Sequence, residues 1–297
     1  MDKLVERETA TRNPISAAPA LAVQFFLIPL AVVGITVTVY VGFRSLLTND
    51  RTPQEYLSEV RNGGSDRRWP AAYELSRLMG DPKVRADRTL GPELVKAFEA
   101  ARDDDPRVRQ YLALAIGRLT PPIPLEGRQL LLDALNDKDS QTRISAIWAL
   151  GATHDATAVP AIEQMYASDD AGVRKMVVYA LGSIPGDAAT PTLVKALDDP
   201  EADVQWNAAI ALARHGSHEA TPVLRRMLDR DYVERNVTRQ QQASEQIDPV
   251  GEVMISGLRA IAALKESALS DPVKALSQND SNLKVRQAAT ETLKSLG

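Results

Sequence analysis

The sequence predicts an all-α fold, an α-solenoid of about seven helical hairpins preceded by one transmembrane helix. Two repeating markers and one uncharged run carry this prediction. The segments DSQTRISAIWALG, DAGVRKMVVYALG and EADVQWNAAIALA follow one another with a step of 31 residues, and prolines 160, 191 and 222 recur with the same step. Residues 17–43 contain no charged side chain. A fixed period in this range is the signature of a solenoid, in which each unit buries its apolar face against its neighbours.

Each repeating unit reads as two helices, A and B. Helix A begins at the recurring proline, which suits a first helical turn because its missing N–H would have no partner there. Helix B begins after an acidic residue that can cap free N–H groups, namely Asp105, Asp139, Asp170 or Glu201. Arginine follows four residues later in three units. This spacing predicts a structural ladder of ion pairs within helix B: Asp105 with Arg109, Asp139 with Arg143, and Asp170 with Arg174.

Helix B also carries small and aliphatic residues at helical spacing, which let neighbouring helices approach closely. In the unit DAGVRKMVVYALG these are Val173, Val177, Ala180 and Leu181. The motif and its copies resemble the HEAT-repeat family, in particular the alanine-rich PBS-lyase HEAT-like repeats, here as a membrane-anchored bacterial-type protein. The resemblance covers most of residues 52–297. It implies that helix B lines the concave face of a solenoid, and it implies little about activity.

The N-terminal part of the chain predicts a membrane anchor. A polar tail of balanced charge, residues 1–16, precedes residues 17–43, which are long enough to span a bilayer and longer than the apolar core of a cleaved signal peptide. Residues 44–51 form a short linker, and the solenoid occupies residues 52–297. We therefore expect a single-pass membrane protein, in the inner membrane if bacterial. A slight excess of bases before the span favours repeats outside the cytoplasm.

One unit carries an insertion at about residues 231–250. The period places a leucine at position 243, but that region reads RDYVERNVTRQQQASEQIDP, and the next helix B ends at Leu264. Insertions in repeat proteins map to loops, often on a binding face. A polar loop without a role is the alternative.

The composition offers little for catalysis. The chain has no cysteine and three histidines, His154, His215 and His218, which lie in or near turns and form no metal-ligand spacing. Its net charge of −4 disfavours a general nucleic-acid binder. We expect no enzyme activity, no catalytic residue, no metal site, no cofactor and no nucleic-acid partner.

Helix B has a second stripe of side chains opposite its core positions, and all three tryptophans of the chain belong to it. The predicted partner-binding residues are the large side chains of this outward stripe: Trp69, Tyr73, Leu114, Ile144, Trp148, Lys175, Tyr179, Trp206 and Ile210. Tryptophan and tyrosine dominate interface hot spots, so the outward stripe predicts a binding groove. The alternative is that these side chains pack laterally between adjacent repeats.

These features together favour a membrane-anchored scaffold or adaptor that binds a partner protein or peptide near the membrane through its B helices. The alternative is a lyase- or chaperone-like enzyme or ligand binder of the PBS-lyase HEAT type, which would use the concave face as a pocket for a small ligand. An open aromatic groove would favour the scaffold, whereas a deep pocket lined by titratable groups would favour the ligand binder.

Overall fold

The computed structural model describes residues 28–47, 51–237 and 248–297, and the chain divides between Thr52 and Pro53 into two compact units. The first unit contains one described helix, α1, which spans Ile28–Leu47. Its large apolar side chains from Leu30 to Val41 are exposed. The hydroxyls of its two threonines donate hydrogen bonds of 2.8 Å to carbonyls one turn earlier.

The predicted transmembrane helix and the predicted membrane localisation are wrong. Across the described ranges 28–47, 51–237 and 248–297, no helix combines the length and the apolar character needed to cross a membrane. Residues 17–27 of the expected span lie outside the described residues, as does the polar tail before them. The expected orientation of the repeats was inferred from this span, so that expectation is withdrawn as well.

The second unit is an all-helical solenoid, as the period predicts. Its described residues contain no strand and form seven hairpins, each with a first helix A and a second helix B. In chain order the helices are α2 (Pro53–Asn62), α3 (Ser65–Leu78), α4 (Pro82–Arg85), α5 (Leu90–Ala100), α6 (Pro106–Gly117), α7 (Leu125–Asp133), α8 (Ser140–Ala152), α9 (Val159–Gln164), α10 (Ala171–Leu181), α11 (Thr190–Lys195), α12 (Ala202–Arg214), α13 (Thr221–Met227), α14 (Arg230–Asn236), α15 (Pro249–Leu264), α16 (Ser270–Asn279) and α17 (Leu283–Leu296). The hairpins are α2/α3, α5/α6, α7/α8, α9/α10, α11/α12, α13/α15 and α16/α17. The short α4 lies between the first two hairpins, and the short α14 lies within the hairpin α13/α15.

The A helices begin where the prolines predict. Pro160, Pro191 and Pro222 occupy the first turns of α9, α11 and α13. These helices are short, and α9 and α11 each continue as a single 3-10 turn, Met165–Ala167 and Ala196–Asp198. Further 3-10 turns lie at Ala134–Asn136, Ala156–Ala158, His218–Ala220 and Ser267–Leu269.

The B helices form the continuous core of the solenoid, because each of them packs against helix B of the repeat before and after it. The marker residues Leu150, Leu181 and Leu212 are fully buried. The last turns of these helices approach one another so closely that glycine is required. A Cβ added at Gly151 would lie 2.7 Å from the Cβ of Ala180, and Gly182 repeats the same contact one repeat later, against Ala211.

The expected insertion is in part a helix. Its first residues form α14, which packs against α13 and α15 and buries Val233 completely. Arg230 at the start of α14 bonds Asp280, with Nη2 2.6 Å from the carboxylate. This end of the insertion is therefore part of the solenoid core, while residues 238–247 lie outside the described residues.

Candidate functional site

The outward stripe occupies one side of α3, α6, α8, α10 and α12, but its members differ in exposure. Tyr73 and Tyr179 are exposed, at 43% and 45%. Lys175 is also exposed, and a larger group is half-buried, namely Trp69, Leu114, Ile144, Trp148 and Ile210. Trp206 is only 3% exposed. The stripe is therefore a surface along most of its length and core at one position.

At its N-terminal end the stripe is held by contacts between repeats. The guanidinium of Arg107 in α6 lies over the ring of Trp69 in α3, 4.5 Å from its centroid. The rings of Tyr73 and Tyr111 meet edge to face, with centroids 5.2 Å apart and planes at 70°. Lateral packing between repeats fixes one side of each ring, and the other side of Tyr73 remains accessible.

The middle of the stripe repeats this arrangement with polar partners. The guanidinium of Arg118 lies 5.4 Å from the ring centroid of Trp148, which belongs to the next repeat. Lys175 in α10 approaches Asp203 in α12, with Nζ 3.4 Å from the carboxylate. These side chains are therefore packed laterally between repeats and are also partly accessible.

A groove of about 380 Å³ runs between α10, α12 and α15. Tyr179, Ile210 and Val253 supply apolar lining, and the charged Lys175 and Glu252 lie beside them. The lining of this groove therefore combines apolar and charged side chains.

Trp206 departs from the expectation that the stripe is an accessible surface throughout. It lines the same groove as Met227 of α13 and Val253 of α15, yet its side chain is buried. Within the described residues its Nε1 has no hydrogen-bond partner. The helix that follows the insertion approaches α12 closely here, so Trp206 belongs to the core between two repeats.

The acidic residues at the starts of the B helices act on the backbone. Asp105, Asp139 and Asp170 accept hydrogen bonds from the first-turn N–H groups of Arg107, Thr142 and Gly172, at 2.7–2.9 Å. Glu201 makes no such cap. Because the aspartates face the backbone, the described structure has no ion pair joining Asp105 to Arg109, Asp139 to Arg143 or Asp170 to Arg174. The ladder exists, but it has different partners.

The arginines bridge successive repeats instead. Arg109 Nε lies 2.8 Å from Asp137, and Arg174 Nε lies 2.9 Å from Asp199, in each case at the turn between the A and B helices of the following repeat. Each arginine also donates to a carbonyl at the turn of its own repeat, as does Arg143, with bonds of 2.5–3.1 Å. The ladder therefore joins repeats rather than stabilising single helices.

The carboxylates of this ladder have shifted pKa values. Burial raises the pKa of Asp199, but hydrogen bonds from Arg174, from the Glu201 N–H and from Tyr166 outweigh burial and hold the pKa below its ordinary value. The same balance between burial and Arg109 lowers the pKa of Asp137. Burial and the bond to Asp199 raise the pKa of the Tyr166 hydroxyl. These carboxylates are ionised at neutral pH and serve the structure.

The histidines do not form a metal centre with the acidic residues. Among the described residues, no group of three or more His, Asp or Glu side chains could hold a metal ion. His218 Nδ1 lies 2.7 Å from Glu266, whose carboxylate also accepts from Thr221 at 2.6 Å. This cluster joins the 3-10 turn His218–Ala220 and the start of α13 to the loop that follows α15, and it has a structural role.

Several residues of the site were missed by the sequence pattern. Tyr111, Arg107 and Arg118 contact the stripe from the neighbouring repeat, and none of them lies at a stripe position of helix B. Arg118 follows the close-packed Gly117 at the end of α6, and Arg214 lies at the corresponding position of its repeat, at the end of α12. A basic residue just after the last turn was the available signal.

The family is decided by comparison with known proteins. A family model for HEAT repeats matches residues 92–181 and 162–243, which together make up just over half of the chain. The chain belongs to the HEAT-repeat family. None of the curated proteins matches it.

Solved structures are similar to this chain at low sequence identity, and the first of those described next shows the same fold. One chain of the complex of CpcE and CpcF of phycocyanin lyase from Nostoc sp. PCC7120 is 18% identical, with 84% of this HEAT-repeat chain and 97% of that chain covered and a TM-score of 0.51. The archaeal HEAT-like repeats protein from Thermococcus onnurineus NA1 is 14% identical, with coverage of 84% and 98% and a TM-score of 0.41. A designed armadillo repeat protein in complex with the peptide (KR)4 is 17% identical, with coverage of 82% and 99% and a TM-score of 0.40.

Proposed function

We propose that this HEAT-repeat chain is a non-catalytic scaffold that binds a partner protein or peptide through the outward stripe. The observation that carries the proposal is the accessible aromatic row on successive B helices. Tyr73 and Tyr179 are exposed, and Trp69 and Trp148 are half-buried on the same side of the helix array. Exposed aromatic side chains on a rigid surface are the usual anchors of protein interfaces.

Pre-organisation strengthens this interpretation. The Tyr73 ring is held against Tyr111, and the Trp69 ring against Arg107, before any partner arrives. A side chain that is already fixed in one rotamer loses little entropy when it becomes buried in a complex. The B helices that carry these rings are themselves fixed by tight packing between repeats.

The second candidate function is a lyase- or chaperone-like protein that holds a small ligand in one of the grooves. The similarity to one chain of a phycocyanin lyase complex favours it, although at 18% identity this similarity shows the fold alone. The same comparison is also compatible with the scaffold, because that chain was solved in a complex with a second protein.

The experiment that tests the scaffold is affinity capture with the tagged full chain, followed by mass spectrometry. We expect the double variant Tyr73→Ala, Tyr179→Ala to lose the specific partner, because each hot-spot aromatic contributes roughly 2 kcal/mol of affinity. The matched control is Leu125→Ala, which removes an apolar side chain that is 71% exposed at the start of α7, an A helix. Equal capture by the double variant and the wild type would refute the proposal.

A further inference from the structure

Arg118 is a half-buried guanidinium at the end of α6. Its Nη1 donates a hydrogen bond of 2.6 Å to the carbonyl of Ser76 in the preceding repeat, and its charged group lies over the Trp148 ring. A guanidinium has five N–H donors, so this bond leaves most of them available. Burial lowers the pKa of Arg118, because it removes water from the charged form.

Three other half-buried arginines have an acidic partner. Arg109, Arg174 and Arg230 bond aspartates at 2.8, 2.9 and 2.6 Å. In the part of the chain that the structure describes, no carboxylate lies within ion-pair distance of Arg118. A partly desolvated cation without a counter-ion is costly, so a carboxylate supplied from outside would bind favourably there.

Arg118 lines a groove of about 490 Å³ together with Trp148, Arg85 and His154. The groove continues past Arg85, Leu119 and Pro121 into a second one of about 570 Å³, which is lined mostly by apolar atoms of prolines and Ile123, with Arg88 beside them. We call the two together the Arg118 groove.

The charge of the Arg118 groove is positive, although the whole chain carries a net charge of −4. Three arginines line it, and Asp87 is the carboxylate among its described lining residues. Both oxygens of Asp87 are already bonded, Oδ1 to Thr89 at 2.7 Å and Oδ2 to Gln54 at 3.2 Å. Thr89 and Gln54 are neutral, so Asp87 keeps its negative charge, and three arginines against one carboxylate leave the lining net positive.

We propose that the Arg118 groove binds an acidic, partly apolar peptide segment of the partner protein. A glutamate or aspartate of the segment would bond the free N–H groups of Arg118 beside Trp148, and Arg85 would pair with a second carboxylate. Apolar side chains of the segment would pack on Leu119, the prolines and Ile123. This inference rests on the proposed function, and it adds the chemistry of the partner.

The bond from Arg118 to Ser76 has a parallel that supplies a control. Arg214 lies at the corresponding position of its own repeat, at the end of α12. Its Nη1 donates to the carbonyl of Gly182 at 2.9 Å. Bridging two repeats therefore explains where such an arginine lies. It does not explain the basic lining around Arg118, because Arg214 lines none of the grooves that contain Arg85 or Trp148.

The test measures fluorescence anisotropy of a short labelled peptide of alternating glutamate and leucine, titrated with the full chain. Counterpart peptides carry glutamine or lysine in place of glutamate. We expect the glutamate peptide alone to bind, and its affinity to fall about tenfold in Arg118→Gln and in Arg85→Gln, because each variant removes a charge-assisted hydrogen bond to the peptide. Arg214→Gln should bind like the wild type. Added salt should weaken binding.

The inference is overturned if the glutamate peptide does not bind, if the glutamine peptide binds equally well, or if Arg214→Gln loses as much affinity as Arg118→Gln. Arg85→Gln guards against misfolding, because the described structure shows no side-chain bond that this change would break, and circular dichroism checks each variant. If the peptide fails while Tyr73 and Tyr179 still govern partner capture, the scaffold stands and only the acidic chemistry is refuted.

Discussion

Trp206 and Tyr179 lie on neighbouring B helices and line the same groove. The structure nevertheless predicts a large loss of stability when Trp206 is truncated and almost none when Tyr179 is truncated. The Trp206 side chain is 3% exposed and that of Tyr179 is 45% exposed. Replacing a buried tryptophan by alanine costs about 3–5 kcal/mol, from lost apolar contact and the cavity that remains. At roughly 2–4 °C per kcal/mol for a domain of this size, Trp206→Ala should lower the Tm by about 10 °C. Tyr179→Ala should change it by no more than a degree or two.

Trp206→Phe refines this prediction. The indole Nε1 is buried without a hydrogen-bond partner among the described residues, and such a donor costs about 1–3 kcal/mol. Phenylalanine removes that donor and keeps most of the packing, so it should cost less than about 1.5 kcal/mol. Urea denaturation followed by circular dichroism measures all three variants. If Trp206→Ala and Tyr179→Ala shift the midpoint equally, the division of the stripe into core and surface is refuted.

Three further predictions follow from the contacts between repeats. Gly151→Val should destabilise the solenoid by at least about 2 kcal/mol in urea denaturation, because even a Cβ would lie 2.7 Å from that of Ala180, and a stability equal to the wild type would contradict the close approach. Arg174→Ala should cost about 3 kcal/mol in the same assay, because it leaves the buried Asp199 without its cation, and the double variant with Asp199→Asn should recover part of that loss. Hydrogen bonds from His218 and then from Thr221 lower the pKa of Glu266, so the folded form binds a proton at this carboxylate more weakly than the unfolded form does. Stability should therefore fall as the pH drops below the ordinary value of 4.5. A Glu266→Gln variant whose urea midpoint depends on pH as steeply as that of the wild type would contradict this.

The fold was predictable because its information is local and repeated. A 31-residue step between α8, α10 and α12, and prolines with the same step in α9, α11 and α13, define where the central hairpins begin, and the structure has its helices there. The membrane span was overestimated because absence of charge over residues 17–43 is only one of the two conditions. A helix must also be long and apolar enough, and no helix of the described residues meets these conditions.

The site was predictable only in outline, because its decisive contacts cross between repeats. Helical spacing places Trp148 and Trp206 in the same outward stripe of their helices, and the spacing alone does not distinguish their exposure. What buries Trp206 is the approach of α15, which comes after the insertion. In the same way, Asp105 and Arg109 have the spacing of an ion pair, but Asp137 of the next repeat binds the arginine more directly.

The central claim, that a partner binds along the B helices, is tested most directly by photo-crosslinking in the native cells. A benzophenone amino acid is placed in the full chain at Tyr179 on α10 or, as the matched control, at the exposed Gln164 on α9 of the same repeat. The account predicts a crosslink to one specific protein from position 179, lost when Tyr73→Ala is added, and none from position 164. Crosslinks of equal yield from both positions, or from position 164 alone, would contradict it.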